Sequence, residues 1–476
     1  MCISRTLPTW EQINAMARPV TTRLNRKTTR RQAIIEAGTG LLSFGLLGMN
    51  FPAAASRPAR RPNFLFILSD DHRWDALGHV AHPAARTPSL DRLAREGVLF
   101  GNAFCTTSLC SPSRASFLTG MYAHSHGVKN NMTPWNDAHV TFLEALHRAG
   151  YETGFVGKWH MPGDFPKLRG LDRFVTFTVD GGQGRYFDCP LIVDGKKVAS
   201  RKPYITEELT DYALEFLDRE RERPFCLYLS HKAVHLQFFP PKELDGLYDD
   251  VELELPREAD SWVGLTDGNF YARPLADMYR DYLECLLGMD QQIGRVLDRL
   301  DELGLAENTV VIYAGDNGFF WGEHHFTDKR WPYEESIRIP LIVRDPQTIR
   351  DPGRRASQMV LNIDLAPTLL DMAGLRPPAS MDGESFAPIL KNADARGREA
   401  WLYEYFLDYP YAVPETRAIR TARYKYIEYE GTRGPELFDI VADPREMNNL
   451  YATPEGQALV PKLKKGLEAL KQGRRL

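Results

Sequence analysis

Four short apolar runs recur along the chain, and each of them ends in polar or charged residues. The runs cover residues 63–69, 151–160, 224–230 and 309–314. A continuous apolar run of this length is typical of a strand that is buried on both faces of a parallel sheet. Helical periodicity lies between and after these runs, at residues 88–97, 207–221, 279–303 and 364–373. The alternation predicts an α/β fold built on a parallel sheet.

The pattern changes after Gly374. Residues 424–429 alternate between apolar and polar positions, and residues 436–439 supply a partner strand. Such alternation indicates strands with one solvated face, as antiparallel sheets have. A helix from about Pro454 completes a smaller α+β region. We therefore predict a main domain at 56–374 and a C-terminal antiparallel-sheet subdomain at 375–476.

The first 55 residues have the features of an export signal. Arg30 and Arg31 form a twin-arginine pattern, an apolar run follows at residues 38–49, and three alanines at 53–55 offer a cleavage site. That run is too short to span a bilayer well. We expect a twin-arginine signal peptide at 1–55 that is removed, export to a bacterial periplasm, and no stable membrane anchor.

The composition of the chain limits which binding partners are expected. Of the 476 residues, 43% are hydrophobic, so the chain can bury a large core. Without residues 1–55 it has 52 Lys and Arg against 61 Asp and Glu, a formal charge of −9. An acidic body of this kind argues against a nucleic-acid partner. It would keep five of the six cysteines, and an odd number in an exported protein indicates that one thiol has a separate role.

Two of the apolar runs end in oxygen-bearing residues, Asp70-Asp71 and Asp316-Asn317. The carboxyl ends of parallel strands meet at one edge of a sheet, where α/β proteins bind their ligands. Adjacent carboxylates repel each other unless a cation or strong donors lie between them, and oxygen ligands suit Ca²⁺ or Mg²⁺. Either pair alone could be a helix cap or a turn. Their recurrence at strand ends favours a cation site.

The segment 107–120, TSLCSPSRASFLTG, predicts a helix that begins near Cys110 and ends at Gly120. Backbone N–H groups at a helix N-terminus attract anions, and Arg114 adds a charged donor one turn later. Cys110 is therefore a candidate nucleophile for an anionic ester. The alternative is a buried, inert cysteine, which is the commoner fate of a free thiol.

Residues 110–120 also match the sulfatase signature Cys-x-Pro-Ser-Arg-x-x-x-Leu-Thr-Gly at every specified position, and residues 150–160 fit the second signature of that family. Residues 436–451, ELFDIVADPREMNNLY, resemble its recurrent ending. The chain thus resembles the formylglycine-dependent, Cys-type sulfatases of the alkaline-phosphatase-like superfamily. The Asp-Lys-Arg segment at 328–330 is similar to the glycosaminoglycan-type branch. The family fold is a mixed, mostly parallel sheet sandwiched by helices.

The resemblance implies a chemistry and a set of residues. Cys110 would be converted to formylglycine by a formylglycine-generating or sulfatase-maturing enzyme, and the aldehyde hydrate would attack sulfur. Calcium, rather than Mg²⁺, would be held by Asp70, Asp71, Asp316, Asn317 and residue 110. Positive charge around the sulfate would come from Arg114, Lys158 and Lys329. His235 would protonate the leaving oxygen and His160 would act as base, with His231 as an alternative acid; His231 and His324 would also contact substrate.

Several functions stay open at this point. A phosphonate monoester or phosphodiester hydrolase could share the fold and the metal site. A non-catalytic relative could bind sulfated glycans without cleaving them, and a thiol enzyme could use unmodified Cys110. For a sulfatase, the expected substrate is a sulfated carbohydrate or a small sulfate ester. Aromatic residues that could stack on sugar rings occur near the motifs: Trp159, Phe238, Phe239, Trp321 and Trp331.

Overall fold

The computed structural model describes residues 61–162, 169–261 and 273–474. The predicted signal peptide lies outside these ranges and stays a prediction. The strands are β1 Asn63–Ser69, β2 Val98–Phe104, β3 Glu152–Gly157, β4 Arg173–Thr176, β5 Leu191–Val193, β6 Lys196–Val198, β7 Phe225–Ser230, β8 Thr309–Gly315, β9 Phe320–Trp321, β10 Thr327–Asp328, β11 Leu341–Arg344, β12 Arg354–Leu361, β13 Ala400–Tyr405, β14 Thr416–Thr421, β15 Tyr424–Tyr429 and β16 Glu436–Asp439. The α-helices are α1 Pro88–Glu96, α2 Cys110–Thr119, α3 Ala123–His126, α4 Phe142–Arg148, α5 Ile205–Leu217, α6 Leu275–Glu302, α7 Glu334–Ile337, α8 Leu365–Met372, α9 Ala387–Lys391 and α10 Pro454–Lys471.

The four apolar runs become neighbouring strands of one sheet. Ten strands of the described chain follow the order β12-β2-β11-β8-β1-β7-β3-β4-β5-β6. Within it, β8, β1, β7 and β3 are mutually parallel, whereas β11 runs antiparallel to both β8 and β2. The sheet is therefore mixed and mostly parallel, and the predicted α/β class is confirmed.

Both faces of the sheet are covered, which explains the continuous apolar runs. Along β1, Leu65 and Ile67 point into a core formed with α5 and α6. Phe64, Phe66 and Leu68 point the other way, into a core that includes side chains of α2, α4 and α8. A strand packed on two faces has no polar alternation. Charged residues therefore occur at the ends of such a strand, beyond the part that is covered on both faces.

The C-terminal region forms the predicted antiparallel sheet, in the order β13-β14-β15-β16. Leu463 and Leu467 of α10 pack on one of its faces. The other face carries Trp401, Tyr403 and Tyr405 of β13, which pack with Leu109 and other residues beside the main sheet. The C-terminal sheet thus lies directly behind the segment that leads into α2. None of the helices in the described ranges has the length and apolar character that a membrane span requires.

Candidate active site

Cys110 is the first residue of α2 and is buried at the carboxyl edge of the main sheet. The preceding residue, Leu109, is extended, and Gly120 ends the helix in the left-handed region at φ 69°. That conformation is strained for residues with a Cβ, so the signature glycine sets the end of the helix. The Ser113 hydroxyl donates to the Asp316 carbonyl at 2.6 Å, which fixes α2 against the end of β8.

The acidic residues that follow β1 and β8 converge. Ser69 and Gly315 are in register on the paired strands, so the residues after them emerge side by side. The Asp71 backbone N–H donates to Asp316 Oδ1 at 3.1 Å. Carboxylate oxygens of Asp70, Asp71 and Asp316 all lie within 4.8 Å of one another. The strand ends therefore bring three buried carboxylates to a single point.

Three cations lie among these carboxylates. Arg114 Nε and Nη2 are each 2.9 Å from Asp316 Oδ2, and Nη2 is 3.2 Å from Asp70 Oδ2. Lys158 Nζ donates to Asp70 Oδ2. Lys329 Nζ donates to Asp71 Oδ1 at 2.5 Å. The three positive charges equal the three carboxylates in number, so the cluster has little net charge. A further cation would give the site the positive charge that attracts an anionic ester.

The two adjacent aspartates have opposite pKa shifts. Burial alone would raise the pKa of Asp70, but Lys158, His235 and Arg114 hold it well below its usual range. For Asp71, burial and the charges of Asp70 and Asp316 outweigh the attraction of Lys329 and raise the pKa to about 7. Burial also raises the pKa of Asp316, aided by Asp70 and opposed by Arg114. The neighbouring cations therefore do not fully stabilise the negative charges of Asp71 and Asp316.

The uncompensated atoms fit a hard divalent cation. Asp71 Oδ2 and Asn317 Oδ1 are buried and have no hydrogen-bond partner among the described residues. The Asn317 amide donates to Asp71 Oδ1 at 2.7 Å, which leaves its oxygen turned away from that bond. Carboxylate and amide oxygens are the ligands that Ca²⁺ and Mg²⁺ prefer. The donor set therefore matches the predicted kind of metal site.

The thiol of Cys110 lies against this cluster. Its Sγ is 3.6 Å from Asp70 Oδ1, and Asp70, Cys110 and His235 offer ligand atoms within 4.8 Å of one another. Burial raises the pKa of the Cys110 thiol, although Lys329 and Lys158 act in the opposite direction. A buried thiol with a raised pKa is a poor nucleophile, because the thiolate is the reactive form. These surroundings do not favour a thiol enzyme.

Lys158 and His160 follow β3, which ends at Gly157 rather than at the predicted residue 160. A Cβ at Gly157, where φ is 122°, would lie 1.8 Å from the Ser230 carbonyl oxygen. The glycine therefore permits the close approach in which the Lys158 N–H donates to that oxygen at 2.8 Å. His160 is buried nearby, and its carbonyl accepts a bond from Ser111. Burial and the charge of Lys158 hold the pKa of His160 well below its usual range.

The three other predicted histidines have different surroundings. His235 Nε2 is 3.9 Å from Asp71 Oδ2, with 13% of the side chain exposed. His231 is fully buried, neither ring nitrogen has a partner in the described chain, and burial lowers its pKa to about 3. His324 stacks on Tyr333, with ring centroids 4.0 Å apart, and its Nε2 is 3.6 Å from Glu335. Of these three, the structure brings only His235 to the cluster.

A cavity of about 430 Å³ opens onto the cluster and is lined by His235, Lys329, Arg330, Gln183, Tyr411 and Phe239, among others. Phe239 is 48% exposed and can meet a ligand. The remaining aromatic residues that the sequence offered for sugar stacking, Trp159, Phe238, Trp321 and Trp331, are buried in the cores instead. Four of the five aromatic residues therefore have a packing role.

Sequence reasoning missed several residues of the site. Gln183 Oε1 accepts from Lys158 Nζ at 2.5 Å, but it lies in a glycine-rich turn without a periodic pattern. Ser230 Oγ accepts from Arg114 Nη1 at 2.7 Å. Because Ser230 ends one of the four apolar runs, the rule that drew attention to its neighbours could have found it. Arg330 lies 3.3 Å from the ring centroid of Tyr411, a contact between distant segments that no local pattern indicates.

Comparison with known proteins agrees with this geometry. A sequence model of the Sulfatase family matches residues 62–375, and one described as N-sulphoglucosamine sulphohydrolase, C-terminal, matches residues 322–473. The chain is 32% identical to an N-acetylglucosamine-6-O-sulfatase of Bacteroides thetaiotaomicron, over 89% of each protein. It is 30% identical to an ulvan-active sulfatase of Formosa agariphila, over 84% of this chain and 79% of that protein.

Solved structures extend the comparison. One, a complex with its substrate D-glucosamine-2-N,6-O-disulfate, has a TM-score of 0.82 at 31% identity and covers 87% of this chain and 98% of its own. A phosphonate monoester hydrolase of Agrobacterium radiobacter has a TM-score of 0.74 at 23% identity over 87% and 96%, which shows a shared fold alone. The chain therefore belongs to the sulfatase family, sulfuric ester hydrolases of the alkaline-phosphatase-like superfamily, and within it to the glycosaminoglycan-type sulfatases.

Proposed function

We propose that this sulfatase removes a sulfate group from a sulfated sugar. The observation that carries the proposal is the convergence of Cys110 with three carboxylates and three cations next to a cavity of about 430 Å³. A cavity of that volume suits a small polar ligand such as a sugar unit. Relatives support the same substrate class, since one is an N-acetylglucosamine-6-O-sulfatase, one is an ulvan-active sulfatase, and one solved structure holds D-glucosamine-2-N,6-O-disulfate as its substrate.

We further propose two groups that this site would hold. Formylglycine made from Cys110 by a maturing enzyme would supply, as its hydrate, the hydroxyl that attacks sulfur. Ca²⁺ bound by Asp70, Asp71, Asp316 and Asn317 would supply Lewis-acid stabilisation of negative charge on the sulfate. Two oxygens that lack a hydrogen-bond partner among the described residues, Asp71 Oδ2 and Asn317 Oδ1, support the metal. The raised pKa of the Cys110 thiol supports the need for modification.

The chain's own side chains would divide the remaining work. Lys158 and Lys329, which pair with two aspartates of the cluster, would bind the non-bridging sulfate oxygens and stabilise the charge that develops there. Arg114 would hold Asp70 and Asp316 in place through its two ion pairs. His235, which lines the cavity, would donate a proton to the departing sugar oxygen. Burial and the charge of Lys158 hold the pKa of His235 well below its usual range, and an anionic sulfate bound beside the ring would raise that pKa again. His160, buried and held neutral, would accept a proton on the inner side of the site.

The location of the protein is a separate proposal. The twin-arginine pattern at 30–31 supports export to the periplasm after folding, so that Cys110 would be modified before export. Replacing both arginines by lysine should retain the protein in the cytoplasm while leaving the activity of the retained protein unchanged. Periplasmic recovery of the double variant at the level of the unaltered chain would contradict the proposal.

The deciding experiment combines mass spectrometry with substrate comparison. The protein should be produced with a maturing enzyme, and the peptide that carries residue 110 should show the mass of an aldehyde in place of the thiol. Sulfate release from N-acetylglucosamine-6-sulfate should then be compared with hydrolysis of an aryl phosphonate monoester, using Cys110→Ala as the blank. Activity with an unmodified thiol would overturn the formylglycine proposal, and a higher kcat/KM on the phosphonate would overturn the substrate class.

A further inference from the structure

Lys232 is a buried lysine without an acidic partner among the described residues. Its exposed fraction is 4%, and it follows β7 by two residues. Each other lysine buried in the described chain has a carboxylate partner: Lys158 with Asp70, Lys329 with Asp71, and Lys425 with Glu446. Burying an ammonium group without a counter-charge is unfavourable. A binding site that is completed by an anionic ligand explains such an arrangement.

The ammonium group faces the cavity of the active site. Lys232 lines that cavity together with His235 and Lys329. Its Nζ is 4.7 Å from the ring centroid of Tyr186, whose hydroxyl donates to the His235 carbonyl at 2.8 Å. A contact with an aromatic face orients a lysine but leaves its N–H donors available. Tyr186 therefore orients Lys232, while the ammonium group has no hydrogen-bond or ion-pair partner in the part of the chain that the structure describes.

The pKa of Lys232 agrees with a role in binding an anion. Burial and the charge of Lys158 lower the pKa of Lys232 to about 8, and the more distant Asp70 and Asp71 only partly oppose this. An oxyanion at hydrogen-bond distance would raise the pKa again, because it favours the charged form. Binding of an anion would thus favour the protonated amine at and above about pH 8.

We infer that Lys232 binds a second oxyanion of the substrate, a sulfate or carboxylate other than the sulfate that is hydrolysed; the inference rests on the proposed function. Lys158 and Lys329 pair with Asp70 and Asp71 of the carboxylate cluster that Cys110 contacts, which assigns those two lysines to the reacting group. Lys232 instead lies over the ring of Tyr186 and pairs with neither of these aspartates. The preferred substrate is therefore a sugar unit with at least two anionic substituents within one cavity.

The test compares Lys232→Met with the unaltered enzyme on two substrates. D-glucosamine-2-N,6-O-disulfate carries a second sulfate, and N-acetylglucosamine-6-sulfate does not. The ratio of kcat/KM for the first to that for the second should fall about 10- to 100-fold, the value of one charge-assisted hydrogen bond. A disaccharide of 6-O-sulfated glucosamine and a uronic acid distinguishes a carboxylate from a sulfate as the second group.

Two further variants control for charge and folding. Arg185→Gln removes a positive charge from the same cavity, but Arg185 is already paired with Asp180 at 2.8 Å, so the substrate ratio should stay unchanged. Lys232→Arg keeps the charge and should retain more of the ratio than Lys232→Met. Inhibition by the product D-glucosamine-2-N-sulfate should weaken in Lys232→Met by a similar factor, which a folding defect would not produce.

The outcomes separate this inference from the proposed function. If the unaltered, matured enzyme cleaves neither sugar sulfate, the proposed function fails. If it cleaves both and Lys232→Met reduces kcat/KM equally on the two substrates, the inference is overturned while the proposed function stands. An unchanged ratio together with unchanged product inhibition overturns it in the same way.

Discussion

The hydroxyl groups of Tyr403 and Ser108 lie 2.8 Å apart, and Tyr403 also donates to the Arg330 carbonyl oxygen at 2.8 Å. Because the tyrosine proton goes to Arg330, the Ser108 hydroxyl donates to Tyr403. Ser108 precedes Cys110 by two residues, and Arg330 follows Lys329 directly. One buried side chain of the C-terminal sheet therefore connects the segment of the proposed nucleophile with the segment of a lysine that we propose binds sulfate.

Tyr403→Phe should reduce kcat/KM by about tenfold, since two buried polar groups lose a partner and the two segments are no longer joined. Tyr405→Phe is a matched control: it lies on the same face of β13, is equally buried, and its hydroxyl has no hydrogen-bond partner among the described residues. Sulfate release and thermal unfolding should be measured for both variants. Equal losses of activity in the two variants would contradict a positioning role for the Tyr403 hydroxyl.

His235→Gln should reduce kcat about 100-fold or more on sugar sulfates, because a sugar alkoxide is a poor leaving group that needs a proton. The loss should be much smaller on an activated aryl sulfate, whose leaving group needs no acid. His231→Gln is the control, because His231 follows the same strand and neither of its ring nitrogens has a hydrogen-bond partner in the described chain. This variant should affect sugar sulfates and the aryl sulfate to the same extent. A loss for His235→Gln that is the same on both substrates would exclude the acid role.

Added Ca²⁺ should raise the Tm by about 5 °C or more, because a ligand that binds only the folded state stabilises it by mass action. Asp71→Asn should abolish most of this shift, since it removes one charged ligand. Asp290→Asn alters a buried carboxylate that accepts bonds from the Ser89 and Leu90 N–H groups and is not one of the three clustered carboxylates. That control should lower the Tm but keep the Ca²⁺ shift. A shift that survives in Asp71→Asn would rule out the proposed ligand set.

Much of the main sheet could be predicted because a strand that is buried on both faces has a continuous run of apolar residues. The strands β1, β7 and β8 are apolar runs, and residues of the site follow directly after each of them. By contrast, β12 is an edge strand with charged and polar positions, RRASQMVL, and gave no such signal. The strands β4, β5 and β6 have four, three and three residues, too few for a period to be recognised.

The parts of the site that depend on distant segments could not be predicted in the same way. Tyr403 lies in a strand of the second sheet, 295 residues from Ser108, and nothing local marks its hydroxyl as different from that of Tyr405. Lys232 could have been noticed, since it stands between two histidines at a strand end. Its significance, however, comes from the absence of a carboxylate partner in the described chain, which only the three-dimensional arrangement reveals.

A pH-dependent contact joins the helix α3 to the C-terminal sheet. His124 of α3 donates from its backbone N–H to Glu404 Oε1 at 2.8 Å, and its Nδ1 lies 2.9 Å from Glu404 Oε2. The hydrogen bond to Glu404 raises the pKa of His124 above its usual value, although partial burial opposes the shift. A raised pKa in the folded state means that the protonated histidine stabilises the fold. This contribution is complete below the unfolded pKa of about 6.5 and is lost as the pH rises through the folded value.

His124→Ala should therefore lower the Tm more at about pH 5.5 than at about pH 9. The difference should be about 1–3 °C, because the histidine side chain is 39% exposed and solvent screens the ion pair. Glu404→Gln supplies the matched background: there, His124→Ala should have the same small effect at both pH values, because the partner charge is gone. Thermal unfolding of the four proteins at the two pH values measures the coupling directly. If the effect of His124→Ala in the unaltered background were constant with pH, or larger at high pH, the protonated pair would not be the source of the stabilisation.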